Sequence, residues 1–296
     1  MSNFILKYDA EERQDFISYL LEISARNSEY EIGYPRCDNL DELKSEIDMY
    51  ENSLNKCVCI IYYEKTPVSI GGFLYTDGDD EAYVIGPLVK EEFFNEENTK
   101  KFLNLILKSK RNQFKKLRVV CSNENNILNK CYLDMGWQCI NVQREMCLEL
   151  DENEERKDIK YSIKSLTKTF LVNCDQVFEL LNQAFKWNGN KENYKELLKD
   201  EYKVACVSTN NGNIIAVVVW SYLNEVDFSR LEYLAVDKLF QNKGIGESLI
   251  NYVINDSKEN NVKKIFLSTD IKNNAINLYK KVGFFDTVIS NIYERI

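Results

Sequence analysis

The stretch Leu231-Glu232-Tyr233-Leu234-Ala235-Val236-Asp237-Lys238-Leu239-Phe240-Gln241-Asn242-Lys243-Gly244-Ile245-Gly246 decides how the rest of the chain is read. Its apolar first part, ending in Ala235-Val236, has the length and composition of a strand, and Ser248-Leu249-Ile250-Asn251-Tyr252-Val253-Ile254 just beyond it has the spacing of an amphipathic helix. A glycine-bearing turn that enters a helix leaves main-chain N–H groups without intrahelical acceptors, at the positive end of the helix dipole. That combination suits a diphosphate. Gly244 and Gly246 would let the backbone approach such a group with no Cβ in the way. The spacing Gln241-x-x-Gly244-x-Gly246 is neither the G-x-G-x-x-G of a dinucleotide loop nor the Gly-Lys-Ser/Thr ending of a P-loop.

Working outward, Tyr279-Lys280-Lys281-Val282-Gly283-Phe284 is similar to Tyr132-Leu133-Asp134-Met135-Gly136-Trp137, an offset of 147 residues (279 minus 132) in a chain of 296. The same offset, without a gap, lays Val119-Val120-Cys121 on Phe266-Leu267-Ser268, Pro87-Leu88-Val89 on Leu234-Ala235-Val236, and Val68 to Tyr75 on Ile215 to Tyr222. Each half therefore reads as a helical start, three strands joined by turns, a helix, a strand and a final helix. In the second half these are strands over 203–208, 214–220, 231–236 and 264–268, with helices over 245–260 and 274–282. The charged run Asp151 to Asp158 has no apolar anchor and reads as the linker, which places one domain at 1–150 and the other at 159–296.

Composition narrows the function. With 44% hydrophobic and 29% charged residues and three prolines, the chain has the makeup of a globular protein able to bury a sizeable core. A formal net charge of -9 argues against a nucleic-acid partner, which needs a basic face. The Met1-Ser2-Asn3 start lacks a leader pattern and no run approaches the roughly 18 apolar residues of a span, so a cytoplasmic protein without a membrane partner is expected. Nine cysteines without a C-x-x-C pair read as reduced core thiols. Histidine is absent, which removes Ser-His-Asp and Cys-His mechanisms and histidine metal sites together; no metal is expected.

The Gln241-x-x-Gly244-x-Gly246 loop between strand and helix, and the Leu278-Tyr279-x-x-x-Gly283-Phe284 ending, resemble the acyl-CoA signature and closing helix of the GNAT superfamily of N-acyltransferases, over about Tyr161 to Ile296. The resemblance implies an α/β (α+β) chain of two tandem GNAT folds, each a mixed, mostly antiparallel sheet flanked by helices. It implies acetyl-CoA as co-substrate, held by Leu234, Ala235 and Val236 along the pantetheine arm and by Gln241, Asn242, Lys243, Gly244, Ile245 and Gly246 around the pyrophosphate. Where the family often carries Asn three residues before the helix alanine, this chain has Lys272, so Asn274 is the remaining candidate for an asparagine contact. In the first copy the loop positions become Phe94, Glu97 and Thr99 within a run bearing Glu91, Glu92, Glu96 and Glu97. Clustered carboxylates repel a diphosphate, so 1–150 is expected to be a degenerate copy without coenzyme.

Acyl transfer to an amine needs a deprotonated nucleophile, oxyanion stabilisation and a proton for the departing thiolate. The resemblance makes Tyr279 the general acid, against a packed aromatic whose hydroxyl is bonded to backbone. It makes Glu232 an acceptor-side group that takes the amine proton or binds the cation, against a solvated strand residue; Asp270 is a weaker choice. Phe185, Trp187, Tyr194, Trp220 and Tyr222 fall where an acceptor pocket would lie, where cation–π contact could hold an amine, although core is the commoner fate of such rings. The expected reaction is acetyl transfer to a small-molecule amine in a ternary complex, by a monomer or homodimer. A peptide or protein N-terminal acetyltransferase and a coenzyme-binding module without turnover are the alternatives.

Overall fold

The computed structural model describes residues 4–110, 113–151, 155–222 and 227–296. The chain divides into two compact units: 1–144 together with 288–296, and 145–287.

The first unit contains β1 (Phe4–Lys7), α1 (Gln14–Arg26), β2 (Ile32–Tyr34), α2 (Leu40–Asp48), α3 (Leu54–Cys57), β3 (Val58–Tyr63), β4 (Thr66–Leu74), β5 (Glu81–Val89), α4 (Glu96–Ser109), β6 (Lys116–Ser122), α5 (Asn126–Asp134) and the start of β7 (Gln138–Glu149). The second contains the end of β7, then β8 (Ile163–Ser165), α6 (Lys168–Leu171), α7 (Asp175–Phe185), α8 (Glu192–Glu196), β9 (Tyr202–Ser208), β10 (Ile214–Tyr222), β11 (Phe228–Val236), α9 (Ile245–Glu259), β12 (Lys264–Asp270), α10 (Ile276–Val282) and the first residues of β13 (Phe285–Arg295). Strand order is β1-β3-β4-β5-β6-β13 in the first unit, with β2 also on β6, and β7-β12-β11-β10-β9-β8 in the second. In both, one parallel pair, β5 with β6 and β11 with β12, stands beside a run of antiparallel ones. The mixed, mostly antiparallel sheet expected from the sequence is thus present twice, and β5 and β11 begin and end 147 residues apart.

Two features differ from the sequence reading. First, β7 and β13 follow the final helix of each copy, and β13 crosses the unit boundary: residues 290–295 pair antiparallel with β6. The division falls between Arg144 and Glu145 and not in the charged run, because the units are closed by strands that lie on either side of it in the chain. Second, the end of the supposed linker is pinned to α9; residues 152–154 lie outside those described. Ser248, Asn251, Asn255 and Glu259, spaced three and four apart and so on one helix face, meet the backbone of Lys160, Asp158 and Lys157 and the Arg156 side chain. Asn255 both accepts from Lys157 N–H (2.9 Å) and donates to Lys157 O (3.0 Å).

β10 is buried on both faces. Ala216, Val218 and Trp220 join Leu249, Ile250, Val253 and Ile254 of α9 in one core, and Val217 and Val219 join Val177 and Leu181 of α7 in another. Each of these aliphatic side chains contributes roughly 2 kcal/mol by leaving water, which fixes α9 on one face of the sheet and α7 on the other. The repeated Tyr-x-x-x-Gly-aromatic motif is a helix stop. Gly283 (φ 117°) and Gly136 (φ 81°) take the left-handed conformation, Phe284 and Trp137 N–H donate to Tyr279 O and Tyr132 O (3.0 and 3.1 Å), and each following aromatic packs edge-on against its tyrosine. This is a Schellman closure, and it explains why the motif survives in both copies.

Candidate active site

β11 pairs with β12 only through Phe228, Ser229 and Arg230; beyond Arg230 the register ends while both strands continue, to Val236 and Asp270. The two strands splay, leaving the β12-facing edge of β11 open. Which residues present main chain to that edge follows from the other side. Asp237 N–H donates to Ile215 O (2.8 Å), and alternation along an antiparallel pair then turns the groups of Ala235 and Tyr233 toward β10 and those of Leu234 and Val236 toward the opening. Val236 O is taken by Gln241 Nε2 (2.9 Å). Leu234 and Val236 therefore offer main-chain groups to the splay, whereas Ala235, grouped with them in the sequence reading, is tied to β10.

The loop after β11 satisfies its own first amides and then stops doing so. Leu239 N–H donates to the Asp237 side chain and Phe240 N–H to Asp237 O, both at 2.8 Å. From Gln241 to Glu247, among the described residues, no acceptor meets a main-chain N–H; the next bond is Ser248 N–H to Gly244 O (3.1 Å), at the N-terminus of α9, which has no side-chain cap. Asn242 (φ 61°) and Gly244 (φ 82°) are left-handed, and Tyr161 Oη fixes the loop by donating to Lys243 O (2.6 Å). A Cβ on Gly244 would project into open space. Gly246 has a different role from the one its spacing implied: a Cβ there would meet Leu278 Cδ2 at 3.1 Å, so this glycine lets α9 pack close to α10.

Tyr279 lies on α10, 7% exposed, and among the described residues no hydrogen-bond partner meets its hydroxyl. Burial alone pushes it up to about 12. Its counterpart Tyr132 donates to Gly86 O (2.7 Å) in the first unit's core.

Glu232 sits at a β-bulge. Val219 is opposite Tyr233 and Trp220 opposite Leu231, so Glu232 is the extra residue. Ser221 Oγ donates to Glu232 Oε1 (2.9 Å). Among the rings assigned to an acceptor pocket, Phe185 and Trp187 surround Tyr233, while Tyr194 is core, its hydroxyl donating to Leu171 O (2.7 Å). Trp220 and Tyr222 lie on the α9 face, both donating to Asp256. Asp270 accepts from Lys272 N–H (2.7 Å) and shapes its own turn; Asn273 closes the next, and Asn274 is exposed ahead of α10, which starts two residues later than expected. Ser221, Tyr161 and the bulge itself had no sequence signal. Among the described residues, no group of His, Cys, Asp or Glu could hold a metal ion, and no helix is long and apolar enough to cross a membrane.

A family model described as Acetyltransferase (GNAT) family matches residues 174–284. Over those residues the chain is similar to that family. Solved structures extend the likeness to the whole chain. A GCN5-related N-acetyltransferase from Sphaerobacter thermophilus is 13% identical with a TM-score of 0.70, over 99% of this chain and 95% of that one. A tandem GNAT protein from the clavulanic acid biosynthesis pathway is 13% identical with a TM-score of 0.63, over 100% and 98%. Saccharomyces cerevisiae N-myristoyltransferase, solved with bound myristoyl-CoA and inhibitors, is 12% identical with a TM-score of 0.55, over 99% and 80%. At such identities the likeness concerns fold alone, and the fold is two GNAT-like units in tandem. The matched family is one of acetyltransferases, whose class of chemistry is acyl transfer.

The first unit keeps the splay but not the loop. β5 pairs with β6 only through Glu81, Ala82 and Tyr83. There α4 begins at Glu96 and is capped by Asn95, whose side chain accepts from Asn98 N–H (3.0 Å), while Phe94 packs on Tyr30 (4.3 Å between centroids). Ile85 stands where the second unit has Glu232.

Proposed function

We propose that the second unit is an N-acetyltransferase that moves the acetyl group of acetyl-CoA directly to the amine of a small molecule, and that the first unit is a GNAT fold holding no coenzyme. The observation that carries this reading is the uncapped run of N–H groups from Gln241 to Glu247 at the mouth of the β11–β12 splay. It suits a pyrophosphate, with the main chain of Leu234 and Val236 in line for the pantetheine arm. In the first unit the same place is filled by Asn95, Phe94 and four glutamates.

The amine nitrogen attacks the acyl carbon, the C–S bond breaks, and the proton lost by nitrogen has to reach the sulfur. Tyr279 supplies a hydroxyl with no competing partner among the described residues. A phenolate at about 12 would reclaim a proton from a thiol near 8.5, so Tyr279 keeps its proton and donates a hydrogen bond to the sulfur as the C–S bond breaks, and the thiolate takes up the proton that the amine nitrogen loses. Glu232, oriented by Ser221, receives the substrate ammonium and passes its proton to water. Calorimetry of the full chain with acetyl-CoA should give one site per chain, and thiol release on adding amines should follow. Binding without release from any amine, amino acid or short peptide would make this a coenzyme-binding module, and two sites per chain would end the assignment of the first unit.

A further inference from the structure

A regular strand sends successive side chains to opposite faces, so Glu232 and Tyr233 should point apart. The bulge overturns this. Leu231 and Leu234 both belong to the α9 core, Tyr233 belongs to the α7 core, and Glu232 is bonded to Ser221, which shares the face of Val217 and Val219. One extra residue thus puts a carboxylate and an aromatic ring side by side on the α7 face.

The Tyr233 ring continues into a wall. Phe185 meets it edge-on (4.9 Å between centroids, 73°), Trp187 meets it edge-on (5.4 Å, 84°), and Phe185 and Trp187 stack (6.5 Å, 30°). The helix stop after α7 makes this arrangement. Lys186 and Asn188 are left-handed (φ 54° and 53°), and Asn182 holds the turn by accepting from Trp187 N–H and Gly189 N–H (3.3 and 2.9 Å). A side chain pays a steric penalty in that region, so two such residues in three mark a turn held in place by its surroundings. Trp187 is core, but Phe185, the last residue of α7, remains 39% exposed. The corresponding strand residues of the first unit are Ile85 and Gly86, so neither the carboxylate nor the ring is repeated there.

From this juxtaposition we infer that the acceptor is a monocationic primary amine on an aromatic group, its ring against Phe185 and Tyr233 and its ammonium on Glu232. The inference rests on the acetyltransferase reading above. One fixed carboxylate matches one charge, where a polyamine would call for several. The ring faces of Phe185 and Tyr233 offer no hydrogen bonds to the hydroxyls of an amino sugar, whose desolvation against them would go unanswered.

The test uses the full chain. Acetyl-CoA binding is measured first; its absence would bring down the acetyltransferase reading itself. With binding established, thiol release is followed with 2-phenylethylamine, glucosamine and spermidine. The expected kcat/KM for 2-phenylethylamine is about 100-fold above either competitor. Phe185→Ala should raise KM for 2-phenylethylamine about 10-fold, leaving kcat and acetyl-CoA affinity unchanged, and Phe185→Tyr should restore most of it. Preference for glucosamine or spermidine, no turnover of 2-phenylethylamine, or an unchanged KM in Phe185→Ala would each overturn the acceptor assignment while leaving coenzyme binding intact.

Discussion

Tyr132 and Tyr279 hold the same place in the same Schellman turn, yet one hydroxyl donates to Gly86 O and the other meets no partner among the described residues. Removing each hydroxyl should therefore separate stability from chemistry. Tyr132→Phe leaves a buried carbonyl unsatisfied, which costs roughly 1–3 kcal/mol; chemical denaturation should report that loss with kcat unaltered. Tyr279→Phe removes a hydroxyl that makes no hydrogen bond among the described residues, so stability should hold or rise, while kcat falls about 100-fold at unchanged acetyl-CoA affinity. The pH profile follows from the same burial. The donor is the protonated hydroxyl, and a value pushed up to about 12 keeps it protonated as pH rises through the neutral and mildly alkaline range. kcat should accordingly show no descending alkaline limb from this group below about pH 11; a limb near 10 that disappears in Tyr279→Phe would remove Tyr279 from the donor role.

At the scale of elements, the loop before α9 is distinguished by what its amides lack, and glycine chemistry offers a matched control. Gly244 and Gly212 share φ 82°, and a Cβ on either would meet nothing within 4 Å. Alanine at either site carries the same left-handed penalty of about 1 kcal/mol. Gly212→Ala, in the hairpin between β9 and β10, should lower stability by that amount and nothing more. Gly244→Ala should lower it equally and also weaken acetyl-CoA binding about 10-fold by placing a methyl group before the open amides, as titration calorimetry can measure. Equal affinities in the two variants would detach the loop from coenzyme binding. Much of this element was legible beforehand: strand, turn and helix follow from the apolar run, the glycines and the 3.6-residue spacing. What was not legible is the bulge at Glu232, since nothing in Leu231-Glu232-Tyr233 announces an extra residue, and the pinning of residues 156–160, since Asn251 and Asn255 on a helix face look like solvated residues.

At the scale of the molecule, the repeat disclosed two folds, but a period-2 pattern names a strand without naming its partner. Val288 and Ser290 are buried two residues apart, a spacing available in the sequence; the return of residues 288–296 to the first unit was not. Those residues close the first unit's sheet. Asn123 N–H donates to Ile289 O, Glu294 pairs with Arg118 (3.1 Å), and Asn291 and Tyr293 both donate to Asn129 Oδ1, while Tyr293, 2% exposed, stacks on Tyr132 (5.6 Å, 26°). The last nine residues of the chain are thus needed by its first half, and a fragment ending at residue 150 lacks a strand of its own sheet. Truncating a buried tyrosine there costs roughly 3–5 kcal/mol, the range for large aromatic deletions. Tyr293→Ala should accordingly lose amide-exchange protection across β6 and α5, residues 116–134, ahead of α9 and β10. Protection lost first from α9, with β6 and α5 intact, would mean that the C-terminal strand serves the second unit instead.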